Sequence, residues 1–212
     1  MPRRPAELAL VLEAEALKRT VRAGWQRIGV RDPESVADHS WRLALMAMLY
    51  ADLLGLDAAK AMRIALLHDL GEARIGDKMP GEWTAKQKHA RERRALVAML
   101  KPLPRQLQAR YQQLWMDYET GTSPEAQLVA ELDKLEMIAQ GVAYERGGQA
   151  RGRFEPFWRT ADQAIASPFL RQRLEALAAR RPQRPRSRKA SSSSGKGLRT
   201  SRKRYSRAPR TR

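Results

Sequence analysis

The chain has 212 residues, no cysteine, and 41 Lys and Arg against 23 Asp and Glu, which gives a formal charge of +18. This length suits one domain plus an extension, and the lack of cysteine excludes disulfide scaffolds, thiolate zinc sites and cysteine nucleophiles. The apolar runs are far shorter than the roughly 20 residues that span a bilayer, and no apolar signal core follows the first residues. We therefore expect a cytoplasmic protein without membrane association.

Apolar residues recur at three- and four-residue steps through residues 1–180, and no alternating strand pattern persists. Capping signals support the helix boundaries, because Ser35 with Asp38 resembles a capping box and Asp57 and Thr84 suit N-caps. We therefore predict an all-α domain over residues 1–180. The predicted helices are Ala6–Thr20, Val36–Leu54, Ala58–His68, Ala85–Leu100, Pro104–Tyr118, Pro124–Tyr144, Glu155–Ile165 and Pro168–Ala179.

Positive charge is concentrated at the C-terminal end of the chain. Residues 181–212 hold 13 Lys or Arg and no acid, whereas residues 1–180 hold 28 basic and 23 acidic residues. Only four apolar residues occur in this segment, too few to offset the entropy of ordering it. We predict a disordered basic tail over residues 181–212. It either binds polyanions such as RNA or DNA weakly through its charge, or is a solvated extension or a read-through artefact.

Three predicted helices each direct ionisable side chains toward the interior. His39 lies on an apolar stripe of its helix, and that stripe should face the core. His68 lies on the apolar face of the next helix and is followed directly by Asp69, while Asp133 lies on a largely apolar flank of a later, longer helix. The stripe around His39 consists of Val36, Leu43, Met46, Tyr50 and Leu53.

Each of these polar residues alone is unremarkable, since a single inward histidine is more often a hydrogen-bonded core residue than a ligand. Two buried carboxylates beside two imidazoles are costly, however, unless a cation compensates all four. Two His and two Asp suit a divalent cation of intermediate hardness, namely Mn²⁺, Co²⁺, Fe²⁺ or Mg²⁺. The predicted ligands are His39, His68, Asp69 and Asp133, which would leave two positions of a six-coordinate ion open.

The order of His39, then His68-Asp69, then Asp133 resembles the H…HD…D pattern of the HD-domain metal-dependent phosphohydrolases, an all-α superfamily. Three segments are similar to the YfbR-like 5′-deoxynucleotidases and their eukaryotic relatives of the HD-domain-containing protein 2 type: GWQRIGVRDPESVADHSWRLALMAML, RIALLHDLGEARIGD and AELDKLEMI. The resemblance implies hydrolysis of a deoxyribonucleoside 5′-monophosphate to the deoxynucleoside and phosphate. It also implies a homodimer.

The resemblance assigns roles to two acids that follow the doublet. Glu72 lies three residues after Asp69, so a continued helical turn would bring its carboxylate to the metal-facing side. It resembles the catalytic acid, which would hold or deprotonate the attacking water. Asp77 resembles a substrate-contacting Asp that binds the sugar hydroxyl or, with Glu72, a second cation. The alternative for Glu72 is a surface residue paired with Arg74.

A phosphate substrate needs positive charge besides the metal. The chain departs here from the bacterial pattern, which has Arg directly before the Trp, because Gly24 occupies that position. Arg22 resembles the eukaryotic arrangement and is the candidate that orients the phosphate, with Arg27 and Lys78 in reserve. Trp25 either stacks on or walls off the deoxyribose, or anchors the first loop to the core.

Two alternative functions stay open at this point. In the first alternative, the protein is an HD phosphohydrolase that acts on another nucleotide, because the metal site determines the reaction and the pocket determines the substrate. Otherwise it is a nucleic-acid-binding protein with a vestigial HD site, which the complete ligand set and Glu72 disfavour.

Overall fold

The structure, a computed structural model, describes residues 5–79 and 81–182. This part of the chain contains ten α-helices, one 3-10 segment and no strand, so the predicted all-α fold is confirmed. None of its helices combines the length and apolarity needed to cross a membrane. The helices are α1 (Glu7–Ala14), α2 (Ala23–Arg27), α3 (Val36–Leu54), α4 (Ala58–Leu67), α5 (Glu72–Ile75), α6 (Ala85–Leu100), α7 (Arg105–Thr120), α8 (Pro124–Arg146), α9 (Glu155–Ala164) and α10 (Pro168–Ala178), with the 3-10 segment (Glu15–Lys18) after α1.

Local sequence signals set several helix starts. The Ser35 hydroxyl accepts a hydrogen bond from the Asp38 amide, and the Asp38 carboxylate accepts one from the Ser35 amide, which forms a capping box at the start of α3. Asp57 caps α4 by accepting from the Lys60 amide, and Thr84 caps α6 in the same way. The three predicted caps are confirmed, and α3 and α6 have the predicted bounds.

The main differences from the predicted helices concern short segments. The first predicted helix, Ala6–Thr20, ends at Ala14 in the structure. Helix α1 buries none of its residues, and the 3-10 segment that follows turns Leu17 into the core. Two helices, α2 with five residues and α5 with four, are absent from the prediction. Neither is long enough to show an apolar period. The remaining helix ends differ by one or two residues.

Helix α8 runs through the middle of the fold, with 12 of its 23 residues buried. The main core forms where α3, α4, α9 and α10 pack against α8, around Leu132 and Ile138. A second apolar cluster joins α6 and α7 to the first turn of α3, around Leu96 and Trp115. The start of α3, the end of α4 and the middle of α8 therefore meet between the two clusters.

The predicted stripe on α3 is correct at its N-terminal end and wrong at its C-terminal end. Its first two members are fully buried and Met46 and Tyr50 are half-buried, but Leu53 is 60% exposed. Small residues such as Ala47 and Ala51 complete the buried face instead. Alanines at these positions permit the extensive packing of α4 along α3.

The predicted tail over residues 181–212 lies outside the described residues from position 183 onward. Its first residue, Arg181, contacts the helical part of the chain. The Arg181 guanidinium donates to both Glu145 carboxylate oxygens, at 2.9 and 2.8 Å, and lies over the Trp158 ring.

Candidate active site and metal centre

Four ionisable side chains converge where the two apolar clusters meet. Nε2 of His39 lies 3.3 Å from both Nε2 of His68 and Oδ1 of Asp133. Nε2 of His68 lies 3.0 Å from Oδ2 of Asp69, and that oxygen lies 3.9 Å from Nε2 of His39. The structure thus brings together all four residues that the sequence nominates as ligands.

The hydrogen bonds of the two imidazoles determine what they present to one another. Nδ1 of His39 lies 2.5 Å from Oε2 of Glu136, and Nδ1 of His68 lies 2.7 Å from the Ala65 carbonyl oxygen. Both partners are acceptors, so Nδ1 carries the proton in each neutral ring and Nε2 presents a bare lone pair. One ligand atom each from His39, His68 and Asp69 lies within 4.8 Å of the other two, and Oδ1 of Asp133 lies 3.3 Å from Nε2 of His39. This donor set fits a divalent cation.

Before a cation binds, protons are the alternative compensation. Burial and Arg22 oppose the charged form of His39, but the hydrogen bonds to Asp133 and Glu136 outweigh them and raise its pKa to about 9. Burial also disfavours ionised Asp69, yet His68 and Arg22 hold the pKa of Asp69 well below its usual range. The carboxylates are therefore ionised and ready to ligate a cation at neutral pH.

A buried carboxylate and a guanidinium fix the His39 ring from behind. Glu136 has no exposed surface, and its Oε1 accepts a hydrogen bond at 2.7 Å from Nε of Arg42, which donates to Glu136 through Nη2 as well. Arg42 also lies 3.5 Å from Glu34. Glu34, His39 and Glu136 form a second group with ligand-like spacing. The Arg42 guanidinium already supplies the positive charge for that group.

Glu72 is buried and faces the same cavity as the four ligands. Its Oε2 is the one buried side-chain polar atom without a hydrogen-bond partner in the described part of the chain. Burial, Asp69 and Asp77 raise the pKa of Glu72 to about 10, so the carboxyl holds a proton before a cation binds. The alternative pair with Arg74 does not form, because Arg74 pairs with Glu13 at 2.9 Å.

The route from α4 to Glu72 is a series of tight turns and not the continued helix that the sequence suggested. Two glycines shape it. A Cβ atom on Gly71 would lie 3.0 Å from the backbone oxygen of Glu92, so a larger residue would require α6 to shift by a few tenths of an ångström. Gly76 has a φ of +71°, a conformation that other residues rarely adopt. These turns bring Glu72 and Asp77 to the cavity wall.

The other nominated residues occupy different parts of the site. Oδ2 of Asp77 accepts a hydrogen bond from the Ala23 amide at 2.9 Å, which ties the cavity wall to the start of α2. Nη1 of Arg22 lies 3.4 Å from Oδ2 of Asp69, so this guanidinium points into the centre. Of the two reserve cations, Lys78 lines the cavity, whereas Arg27 is exposed and does not.

Trp25 is 1% exposed and serves as a core anchor. Its Nε1 donates to Oε1 of Glu34 at 2.9 Å, and its ring stacks on Phe157 with centroids 4.4 Å apart. Both aromatic residues line the cavity, which has a volume of about 320 Å³ and falls in the range of small-ligand sites. Trp25 therefore combines the two alternatives, since it anchors the core and forms part of the cavity wall.

Several cavity residues were not nominated from the sequence. Lys88, Tyr118, Lys134 and Phe157 line the cavity, and nothing in the sequence distinguishes Lys88 from the surface charges around it. The two residues that orient His39 could be recognised weakly from the sequence. Arg42 follows His39 by three residues and Glu136 follows Asp133 by three, so each shares a helix face with a nominated ligand.

The HD domain family matches residues 14–172 of the chain. This chain belongs to the HD-domain family. The HD-domain protein is 38% identical over 166 residues to the 5'-deoxynucleotidase HDDC2 of Homo sapiens, which covers 78% of this chain and 81% of that relative. It is 41% identical over 135 residues to the 5'-deoxynucleotidase hdd1 of Schizosaccharomyces pombe, which covers 61% and 68% of the two chains.

Solved structures share the fold of this HD-domain protein. A protein from Pyrococcus horikoshii has a TM-score of 0.69 and 31% identity, covering 82% of this chain and 99% of that chain. A conserved hypothetical protein from Pyrococcus furiosus has a TM-score of 0.64 and 37% identity, covering 81% and 99%. The helical arrangement that positions the four converging side chains is therefore that of the HD domain.

Proposed function

We propose that this HD-domain protein is a metal-dependent 5′-deoxynucleotidase, which hydrolyses deoxyribonucleoside 5′-monophosphates to the deoxynucleoside and phosphate. The observation that carries the proposal is the convergence of two Nε2 lone pairs and two carboxylates beside the unpartnered Oε2 of Glu72. The relatives named 5'-deoxynucleotidase support the reaction and the substrate class. The proposed ligands of a Mn²⁺, Co²⁺, Fe²⁺ or Mg²⁺ ion are His39, His68, Asp69 and Asp133.

A bound divalent cation would lower the pKa of a water molecule and polarise a phosphate oxygen. Beside a bound cation, Glu72 would lose the proton that its carboxyl holds, so that Oε2 of the ionised Glu72 can take the proton of the attacking water while the new bond to phosphorus forms. As the bond from phosphorus to the 5′ oxygen breaks, Glu72 gives up the proton it took from the water, and the 5′ oxygen receives it and leaves as the deoxynucleoside alcohol. Arg22 lies within the cavity, where its guanidinium suits two oxygens of the phosphate. Lys88 adds further positive charge to the cavity wall.

Selectivity for deoxyribose is the part of the proposal that rests on the aromatic wall. Trp25 and Phe157 offer no hydrogen-bonding atom to the cavity, because the Trp25 indole N–H is already bound to Glu34. A ribose 2′-hydroxyl against this wall would be desolvated and unpaired, which costs about 1–3 kcal/mol. The free carboxylate oxygen of Asp77 is the proposed partner of a sugar hydroxyl elsewhere in the cavity.

Phosphate release from matched pairs of deoxyribonucleoside and ribonucleoside 5′-monophosphates tests this proposal. The protein is first stripped with a chelator and then reloaded with each of the four metals. We expect no release from the stripped protein and at least roughly tenfold higher kcat/KM for the deoxy substrates. Equal efficiency on both sugars would leave the alternative of an HD phosphohydrolase with another nucleotide substrate.

The wall itself is tested best at Phe157. Trp25→Ala removes a fully buried anchor, which typically costs about 3–5 kcal/mol of stability, so a loss of activity there would be ambiguous. Phe157 is half-buried, and Phe157→Ala should raise kcat/KM for ribonucleotides while metal affinity stays unchanged. An unaltered preference in this variant would remove the wall from the account of selectivity.

We also propose that the protein forms a homodimer through the outer face of α3. Trp41, Leu45, Leu49 and Leu53 are spaced by four residues and are 67%, 45%, 50% and 60% exposed. Identical faces with few charges pair well about a twofold axis. Light scattering should give a dimer for the wild type and a monomer for Leu49→Glu, and a monomeric wild type would refute the proposal.

Cytoplasmic localisation and polyanion binding by the tail stay predictions.

A further inference from the structure

The positive charge of residues 1–180 is concentrated on one pair of helices. Residues 85–112, which cover α6 and the first half of α7, hold eight Lys or Arg and one acid. The rest of residues 1–180 holds 20 basic and 22 acidic residues. The net positive charge of this part of the chain therefore comes from the α6–α7 face and not from an even excess of basic residues.

A groove of about 980 Å³ lies along this face between α6 and α7. Arg93, Arg94 and Lys101 line it and are all exposed. In the described part of the chain, no carboxylate pairs with any of these three cations. Two acids on the same helices already have partners, because Glu92 pairs with Lys88 at 3.1 Å and Glu119 pairs with His89 at 2.6 Å.

The walls of the groove are held in place by contacts at the turn between the two helices. Nε2 of Gln108 donates to the backbone oxygens of Lys101 and Leu103, at 3.1 and 2.7 Å. These bonds fix the start of α7 against the end of α6. The His89–Glu119 pair separates the groove from the active-site cavity, because His89 lines the groove and Glu119 lines the cavity.

The lining chemistry favours a phosphate backbone over an acidic protein. Protein interfaces are centred on buried aromatic and apolar anchors, whereas this groove offers guanidinium, ammonium and amide groups and only a modest apolar floor at Val97, Ala98 and Met116. Guanidinium groups bind phosphate oxygens in a two-pronged geometry. A groove between two helices also admits a single strand more readily than a duplex.

We propose that the groove between α6 and α7 binds the phosphate backbone of single-stranded nucleic acid. The interaction is independent of base sequence, because no Phe, Tyr or Trp side chain lines the groove for stacking. This site is distinct from the active-site cavity and does not depend on the identity of the substrate hydrolysed there.

The test compares two triple variants of the full-length chain for binding to a labelled oligonucleotide of about 15 nucleotides, as DNA and as RNA. The groove variant is Arg93→Gln with Arg94→Gln and Lys101→Gln. The matched control, Arg63→Gln with Arg146→Gln and Arg159→Gln, removes three exposed charges elsewhere. The basic tail is identical in both proteins, so its contribution cancels in the comparison.

We expect the groove variant to lose about tenfold or more in affinity at low salt. The slope of log affinity against log salt should become shallower by about 2, since each single-strand phosphate contact contributes about 0.7. The control should change affinity less than about threefold, and deoxynucleotide hydrolysis should be unchanged in both variants. Equal losses in the two variants would overturn the proposal.

A second measurement locates the contact directly. Bound oligonucleotide should protect Lys101 from acetylation, as measured by mass spectrometry, while the exposed Lys18 reacts at its free rate. Equal reactivity of Lys101 with and without oligonucleotide would refute the site. Stronger protection by a polyglutamate of the same length would assign the groove to an acidic protein partner and overturn the nucleic-acid proposal.

Discussion

The two walls of the active-site cavity are built in different ways. On the wall that carries the proposed ligands, His39 and Asp133 come from the long helices α3 and α8, and each imidazole Nδ1 has an acceptor within 2.7 Å. On the wall that carries Glu72, this residue lies in the four-residue helix α5, between glycine-dependent turns, with one carboxylate oxygen unpartnered.

This difference corresponds to two tasks: the ligand wall binds the ion, and the Glu72 wall transfers a proton. On the ligand wall, hydrogen bonds to Glu136 and to the Ala65 carbonyl oxygen orient the two imidazoles before substrate binds. The Glu72 wall leaves an oxygen unsatisfied in a buried place, which is costly unless a ligand or water completes it. We therefore expect substitutions on the ligand wall to lower both bound metal and rate, and a substitution at Glu72 to lower the rate alone.

The largest effect is expected on the ligand wall. His68→Ala should lower phosphate release by at least about 10³-fold, because polarisation of the phosphate by a metal contributes several kcal/mol. Bound metal, measured by elemental analysis, should fall together with the rate. His89→Ala is the matched control, since this histidine pairs with Glu119 outside the centre. Normal metal content in His68→Ala would remove His68 from the ligand set.

The next effect is expected at Glu72, where rate and metal content should separate. Glu72→Gln keeps the shape of the side chain but removes the oxygen that takes the proton. We expect kcat to fall by about 10² to 10⁴-fold with little change in bound metal. Glu82→Gln, in the exposed part of the same region, is the control. If metal is lost as well, Glu72 acts as a ligand.

A smaller effect is expected behind the ligand wall. Glu136→Gln weakens the hydrogen bond that orients His39 and leaves Arg42 without its carboxylate. Partners of this kind typically change metal affinity by about 10–100-fold. Titration of the stripped protein with Mn²⁺ should show this loss, while saturating metal restores most of the activity. Glu131→Gln on the same helix should leave metal affinity unchanged.

The smallest effect is on stability and lies away from the cavity. Burial disfavours ionised Asp117, but hydrogen bonds from Thr122, Ser123 and Lys60 lower its pKa to about 2. The resulting stability is present above the ordinary Asp pKa and is lost as the pH falls toward 2. Urea unfolding should show Asp117→Asn less stable by about 2 kcal/mol at pH 7 and nearly equal to wild type near pH 2. Asp162→Asn, at an exposed position, is the matched control.

The two walls also differ in how far the sequence predicts them. His39, His68 and Asp133 follow from helical spacing and from the cost of burying charge, and the structure brings them together. Glu136 was not predicted from the sequence, because a buried acid on α8 has the same appearance in sequence as a solvated acid. The short helix α5 around Glu72 was not predicted, because four residues show no apolar period and because its position depends on a tertiary contact at Gly71.

We propose above that phosphate release from a deoxynucleotide requires a divalent cation held by His39, His68, Asp69 and Asp133. The most direct test titrates stripped protein with Mn²⁺ and measures bound metal and phosphate release from 2′-deoxyadenosine 5′-monophosphate in the same samples. We expect no release from the stripped protein and release that rises in proportion to bound metal, with neither response in His68→Ala. Full turnover by the stripped wild-type protein would contradict this proposal.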